Sequence, residues 1–568
     1  MQERLEAAQA QEQAGDILGA EKEYLAINDA LGGHPLLFNL IAQNLIKQRN
    51  YREAVDHFKK GLEIAKEPQD IEHLLFHAAL TCYDHLTTRE GIELLEHYLS
   101  RPYSLGSTSQ LLVQGYSYEG KVDQCLEILR ELQTSSPTDF WPTSTACQIL
   151  TTHGRIHEAI TFLKSQKIST ETPNAQHLLY KLYLQSHNIG LAHKHIQKAH
   201  RLSPGDNGLL NDLLWHDWAM GHSESAKNIA QELSQKADNS YIKFSIGCFQ
   251  LSSGDFAQGI LNYEHIYNTP QHREKKRFIP LPQKLSIAHL KGRRLLLTPD
   301  QGLGDQIRSS RHFLSLDASC YAKLWVACDS RLIDLFSNSF PHIKFIREDK
   351  ICADWVRSEG FDIELKHASA ANLEQRQEFT PINNYLSCDI DDVHPSLSNT
   401  KKDNKPIIGL CWRSVVDNPS RQHWYYPLAH YAKALRGKNI QVVALQNHVT
   451  EEERKIFEAN AGFPLEILEN FDTKDDLSSL TSTAKNLDLA LSTATATADL
   501  LGACGVPTIL VAKRLPERWY LGEPYLKQYY PNMTPVVLNM NQDWSEADAP
   551  LKHNIEQLLA QSAERSTP

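Results

Sequence analysis

A small residue returns down the first half of the chain at Ala20, Ala54, Gly91, Cys125, Ala159, Ala192, Ala226 and Gly259, at spacings of 34, 37, 34, 34, 33, 34 and 33 residues. A period near 34 belongs to a two-helix unit that buries its apolar face only by stacking on neighbours. Four residues beyond these positions stand Tyr24, Phe58, Leu95, Leu129, Leu163, Ile196, Ala230 and Tyr263. Residues four apart share a helix face, so the small side chain admits a neighbouring helix and the larger one fills the space beside it. Stacked pairs build an extended surface suited to another polypeptide, and such surfaces serve self-association as well.

A chain of 568 residues exceeds what one core supports, so two or more domains are expected. The formal charge of -11 argues against a nucleic-acid partner, which selects for clustered basic residues. The start, MQERLEAAQAQEQAGD, has no apolar core, and no later stretch approaches the ~18 apolar residues of a membrane span. A cytoplasmic chain without membrane insertion is therefore expected. The 10 cysteines occur singly, without a Cys-x-x-Cys pair, and are expected as reduced, mostly buried thiols. His193 and His195 are two apart, which places them on different helix faces, and no Glu or Cys completes a ligand set. They read as surface histidines, with no metal site.

Several rungs share local sequence: Asn50 to Ala54, Gly154 to Ala159 and Gly254 to Gly259 each place Asn or Gly before the second helix, where a turn is needed. These units resemble tetratricopeptide repeats, with Pro204 where that family's terminal proline ends a unit. The resemblance covers residues 1–268 in about eight units and implies an all-α solenoid that holds a partner protein. The Gly91 unit carries three extra residues in its turn or in the preceding helix.

The ladder ends after Tyr267. Residues 269–289, with a basic run from Arg273 to Arg277 and then Pro280 and Pro282, read as a connector. From Arg294 to Thr298 an apolar run meets the turn Gly302-Leu303-Gly304-Asp305, and an amphipathic stretch follows to Leu316. That order is strand, glycine turn, helix. Further strands are expected at Lys323–Cys328, Ile343–Ile346 and Phe361–Leu365, and a second set at Pro406–Trp412, Ile440–Leu445, Leu465–Leu468, Leu487–Ser492 and Pro507–Val511. Alternation of this kind makes parallel sheets. Two Rossmann-like domains, 290–395 and 405–545, are expected to face each other across a cleft, with a split near Asp391 to Asn404 and a helix or tail over 546–568.

Two turns carry the candidate chemistry. Gly302 and Gly304 allow backbone amides close to a phosphate or oxyanion at a helix start, although glycines also serve turn geometry alone, and Asp305 equally suits a helix N-cap. Ser492 to Pro507 opens a helix with hydroxyls and small residues. Thr495 and Thr497 suit a phosphate there. Asp499 suits ribose hydroxyls or, equally, the positive end of the helix dipole.

The order Gly302 to Asp305, Tyr385 to Asp389, Ile408 to Trp412, Ala444 to Gln446, Ala494 to Pro507 and Tyr529 to Met533 resembles that of repeat-fused GT-B glycosyltransferases. These are similar to bacterial heptosyltransferases and, more distantly, to protein O-linked N-acetylglucosamine transferases. The resemblance covers 290–545 and implies an inverting, metal-independent transfer from a sugar nucleotide, without a cofactor. It implies Asp305 as catalytic base and Arg413 and Arg421 as neutralisers of the departing phosphate. Trp519 or Tyr520 suits stacking on a nucleotide base or, equally, packing within the fold. Where heptosyltransferases carry Asp-Thr-Gly and a later His, this chain has Ala494-Thr495-Ala496 and Asp499, closer to the protein O-linked enzymes, while their lysine is Gln422 here. A repeat arm fused to such a module implies a protein acceptor, with flagellin and an activated nonulosonic acid as the leading pair. A repeat scaffold that has lost catalysis, and transfer to a glycan, stand as alternatives. Donor, acceptor site and oligomeric state are left open.

Overall fold

The computed structural model describes residues 2–99, 106–166, 171–236, 239–269, 279, 290–299, 301–373, 381–387, 405–414, 423–468 and 471–565. Arg421, Gln422, the split near Asp391 to Asn404 and nearly all of the 269–289 connector lie outside them. The chain forms two compact units, Met1–Leu202 and Ser203–Pro568.

The described residues of the first unit form six helical hairpins. Its helices are α1 (Gln2–Gln13), α2 (Ile17–Leu31), α3 (Pro35–Lys47), α4 (Tyr51–Ile64), α5 (Pro68–His85) and α6 (Thr88–Leu99). They continue through α7 (Gly106–Tyr118), α8 (Val122–Ser135), α9 (Trp141–Thr152), α10 (Ile156–Ser165), α11 (Pro173–Gln185) and α12 (Ile189–Leu202). Pro35, Pro68 and Pro173 open first helices, where the missing N–H costs nothing. Each rung residue falls on the second helix of its pair and is buried. The three extra residues before Gly91 extend α5 to 18 residues, and Gly91 lies where a Cβ would collide with the Tyr83 ring. His195 corrects the surface reading: it is half-buried, stacked on Tyr183 at 5.2 Å, with Nδ1 2.7 Å from Gln176 Oε1.

The second unit begins with two more hairpins, α13 (Asn207–Ala219) with α14 (Ser223–Lys236) and α15 (Ser240–Ser253) with α16 (Phe256–Tyr263). The repeat helices thus run on to Tyr263, and the compact boundary at 202/203 falls inside the array, because these last two hairpins dock on the α/β part. Met540 N–H donates to Ala219 O at 2.8 Å, Gly522 is pressed on the Ser252 backbone where no Cβ fits, and Trp519 packs on Tyr263 at 5.8 Å.

Two parallel sheets follow. The first contains β1 (Arg294–Thr298), β2 (Lys323–Cys328), β3 (Lys344–Arg347) and β4 (Ile363–Lys366) in the order β3-β2-β1-β4. Its helices are α17 (Leu303–Ser309), α18 (Ile333–Ser339) and α19 (Ala353–Glu359). The amphipathic stretch after Asp305 is thus α17 and then a 3-10 turn over Ser310–Ser315. The second contains β5 (Ile407–Cys411), β6 (Gln441–Ala444), β7 (Leu489–Ser492), β8 (Thr508–Lys513) and β9 (Met533–Leu538) in the order β6-β5-β7-β8-β9. Its helices are α20 (Leu428–Leu435), α21 (Glu451–Ala461), α22 (Leu477–Ala484), α23 (Ala496–Ala503), α24 (Glu523–Tyr529) and α25 (Asp548–Arg565). The strand expected at Leu465–Leu468 is reduced to one bridge, Val443 to Glu466. The edge strand β9 was not expected, since Pro535 interrupts its apolar pattern. Within 546–568 the described residues include the helix α25, whose Leu551 and Ile555 are fully buried with Val511, Val536 and Phe457 in the second sheet's core.

All nine described cysteines are free thiols and seven are buried, as expected. Among the described residues, no helix is long and apolar enough to cross a membrane.

Candidate active site

Both sheets reverse strand order at one place, between β1 and β4 in the first and between β5 and β7 in the second. Crevices beyond the C-terminal strand ends at such reversals are where open α/β sheets receive ligands. The strand β1 leads to α17, with Asp305 in its first turn, and β7 leads to α23, with Asp499 in its first turn. The two helices pack on each other through Gly304, where a Cβ would stand 2.6 Å from Asp499 Oδ2 and 3.5 Å from Ala496 Cα. Gly302 is the N-cap of α17 at φ −70 and ψ 179, an extended conformation open to any residue.

Arg308 joins the two carboxyls. Its Nη2 donates to Asp305 Oδ1 at 3.0 Å, and its Nε lies 3.6 Å from Asp499 Oδ1. The Tyr530 hydroxyl donates to the same Asp499 oxygen at 2.9 Å, and the Arg308 guanidinium lies over the Tyr520 ring at 4.3 Å. Tyr530 reaches that position because Gly502 on α23 leaves room for its ring. Exposure separates the roles available to the three side chains: Asp305 is 37% exposed, Asp499 13% and Arg308 8%. Burial, reinforced by Asp305, raises the Asp499 carboxyl to about 6 against the pull of Arg308 and Tyr530. Burial disfavours the Arg308 cation, but Asp499 and Asp305 outweigh it and hold the guanidinium charged.

Two cavities meet at Arg308 and Tyr525, which line both. The larger, about 510 Å³, is bordered by Asp305, His312, Tyr529 and Trp519, and on the repeat side by Leu251, Ile260 and Tyr263 from α15 and α16. The smaller, about 300 Å³, is bordered by Thr495, Ala498, Asp499, Tyr520 and Tyr530. Thr495 is the N-cap of α23 and makes no side-chain bond to it, leaving the usual unsatisfied amides of a helix start. Trp519 and Tyr520, adjacent in sequence, therefore face different cavities.

Arg413 has other partners. Its Nε and Nη2 grip Glu453 at 2.6 and 3.0 Å, and Nη2 also donates to His448 O at 2.8 Å. Glu453 meanwhile accepts from Trp412 Nε1 and closes the capping box of α21 with Thr450. Burial pushes the Glu453 carboxyl up, but these donors, Arg413 foremost, carry it down to about 2.

No family model matches the chain. It is 24% identical over 329 residues to the protein FlbA of Caulobacter vibrioides, a match covering 54% of this chain and 53% of that protein. The chain thus spans about half the length of the curated relative it matches. Among solved structures, a family 9 glycosyl transferase from Veillonella parvula DSM 2008 aligns at 12% identity and a TM-score of 0.33, over 50% of this chain and all of that one. Yeast Tom70 aligns at 15% identity and a TM-score of 0.32, over 46% of this chain and 56% of its own.

Asp305, Thr495, Asp499, Trp519 and Tyr520, singled out from sequence, line these cavities and Gly304 packs against Asp499, whereas Arg413 lines neither. Thr497 is half-buried on the first turn of α23. Arg308, Tyr530, Tyr525 and Tyr263 were missed. The signal for Arg308 was present, since it stands three residues after Asp305 on one helix face.

Proposed function

We propose that this chain is an inverting protein O-glycosyltransferase of GT-B type, moving a sugar from a sugar nucleotide to a Ser or Thr hydroxyl of a protein acceptor. The observation that carries the reading is that the cavity exposing Asp305 is bordered on one side by α15 and α16, the last repeat hairpin. A carboxylate and a repeat hairpin thus share one opening.

Asp305, the most exposed of the three charged groups, takes the acceptor hydroxyl proton as that oxygen bonds to the anomeric carbon. The bond from that carbon to the nucleotide phosphate breaks with inversion. Thr495, Thr497 and the amides opening α23 receive the phosphate. A protein acceptor, flagellin among the candidates, follows from the repeats. Incubation with CMP-, UDP- and ADP-linked sugars, followed by intact-mass analysis of acceptor proteins, tests the reading. One sugar nucleotide should be consumed by the wild type, and Asp305→Asn should lower turnover by about 10²–10⁴-fold while leaving donor binding intact. Full turnover in that variant refutes the base, and binding to none of the panel favours a scaffold without catalysis.

A further inference from the structure

Arg308 is buried on α17, yet its Nε and Nη1 have no hydrogen-bond partner within the protein. A guanidinium surrenders hydration only where charge repays it. The repayment comes from two elements: Asp305 on its own helix at 3.0 Å and Asp499 on α23 at 3.6 Å. Asp499 is in turn fixed by the Tyr530 hydroxyl, and the face of the guanidinium rests on Tyr520. Every group that fixes Arg308, Asp305 aside, belongs to the second sheet's half of the unit, whereas the carboxyl it holds belongs to the first.

A phosphate-binding role fits this setting poorly, because the positive charge is already divided between two carboxyls and an arriving anion would meet Asp305. Aiming a carboxylate fits it well: the planar fork holds one oxygen of Asp305, whose side chain lines the larger cavity and stays 37% exposed. We infer that Arg308 is the positioning residue for Asp305, set in place across the two α/β halves by Asp499, Tyr530 and Tyr520, so that the base is aimed only when α17 and α23 are packed together. This rests on Asp305 being the base.

The test uses the full chain as wild type, Arg308→Gln, Arg308→Lys, Asp499→Asn and the Gln/Asn double variant. With whichever CMP-, UDP- or ADP-linked sugar the wild type consumes, Arg308→Gln should lose about 10²-fold in kcat, as expected for a reacting group displaced by ~1 Å. Donor affinity by calorimetry should stay within about threefold, and Arg308→Lys should recover at least about tenfold of the lost kcat. In thermal melts at pH 7.5, Asp499→Asn should restore part of the melting temperature lost in Arg308→Gln, because it removes the carboxyl left buried without its cation. An unchanged kcat in Arg308→Gln, an equal loss of kcat and donor affinity, or additive melting shifts would each overturn the inference while leaving the transferase reading intact. A wild type that consumes none of the three donor classes overturns that reading, and this inference with it.

Discussion

Asp499 offers a contest whose winner can be measured. Burial and the neighbouring Asp305 favour its neutral form, Arg308 and Tyr530 favour the anion, and the balance places its carboxyl at about 6 against an ordinary 3.8. Between those two values the folded state holds a proton that the unfolded chain has released. The stabilisation this gives is complete below pH 3.8 and is lost as pH rises through about 6. At ~1.4 kcal/mol per tenfold in the equilibrium, the amount at stake is ~3 kcal/mol. Asp499→Asn keeps an acceptor for Tyr530 but cannot ionise, so its stability lacks this slope. A unit the size of Ser203–Pro568 moves by no more than ~2 °C per kcal/mol. The melting temperature of Asp499→Asn minus that of the wild type should therefore climb by up to ~6 °C between pH 4 and pH 7.5. Scanning calorimetry of both chains in matched buffers reads the difference. A flat difference, or one that falls with pH, would mean that Arg308 dominates and would refute the reasoning from burial.

Glu453 runs the other way. Its carboxyl is carried from 4.5 to about 2, so the stability it contributes is present above pH 4.5 and disappears as pH falls through about 2. Arg413→Ala removes one of three donors and should cost ~1–2 kcal/mol at pH 7 and much less at pH 2.5, read by melting at both; an unchanged melt with lost donor affinity would assign Arg413 to the phosphate instead. Leu551→Ala should destabilise the second unit by ~2–5 kcal/mol in chemical denaturation, since that side chain is fully buried in the second sheet's core, and a loss below ~0.5 kcal/mol would return α25 to the status of a tail.

The repeat ladder was readable because local spacing alone decides which helix face is buried, and all eight rungs lie on second helices. Most strands were equally plain as short apolar runs. Leu465–Leu468 has the same composition as a strand, but composition does not supply a neighbour to pair with, and only Glu466 finds one. The edge strand β9 hid behind Pro535, which an edge tolerates and a centre does not. In the site, the turns bearing Asp305 and Asp499 were visible one at a time. That they meet through Gly304 and Arg308 depends on the chain folding back over a separation of 194 residues, as the commitment of Arg413 to Glu453 depends on one of 40.

The docking of α13 to α16 has a consequence for how such chains exchange parts. The 34-residue rhythm passes across Leu202 unchanged, so by sequence every repeat looks interchangeable. Physically the last two hairpins are pinned to the sheets through Ala219, Ser252 and Tyr263. The seam for grafting a foreign array is Ser203, inside the ladder. A splice at 268 would part α13 to α16 from the α/β elements they pack on, whereas one at Ser203 keeps the second unit whole.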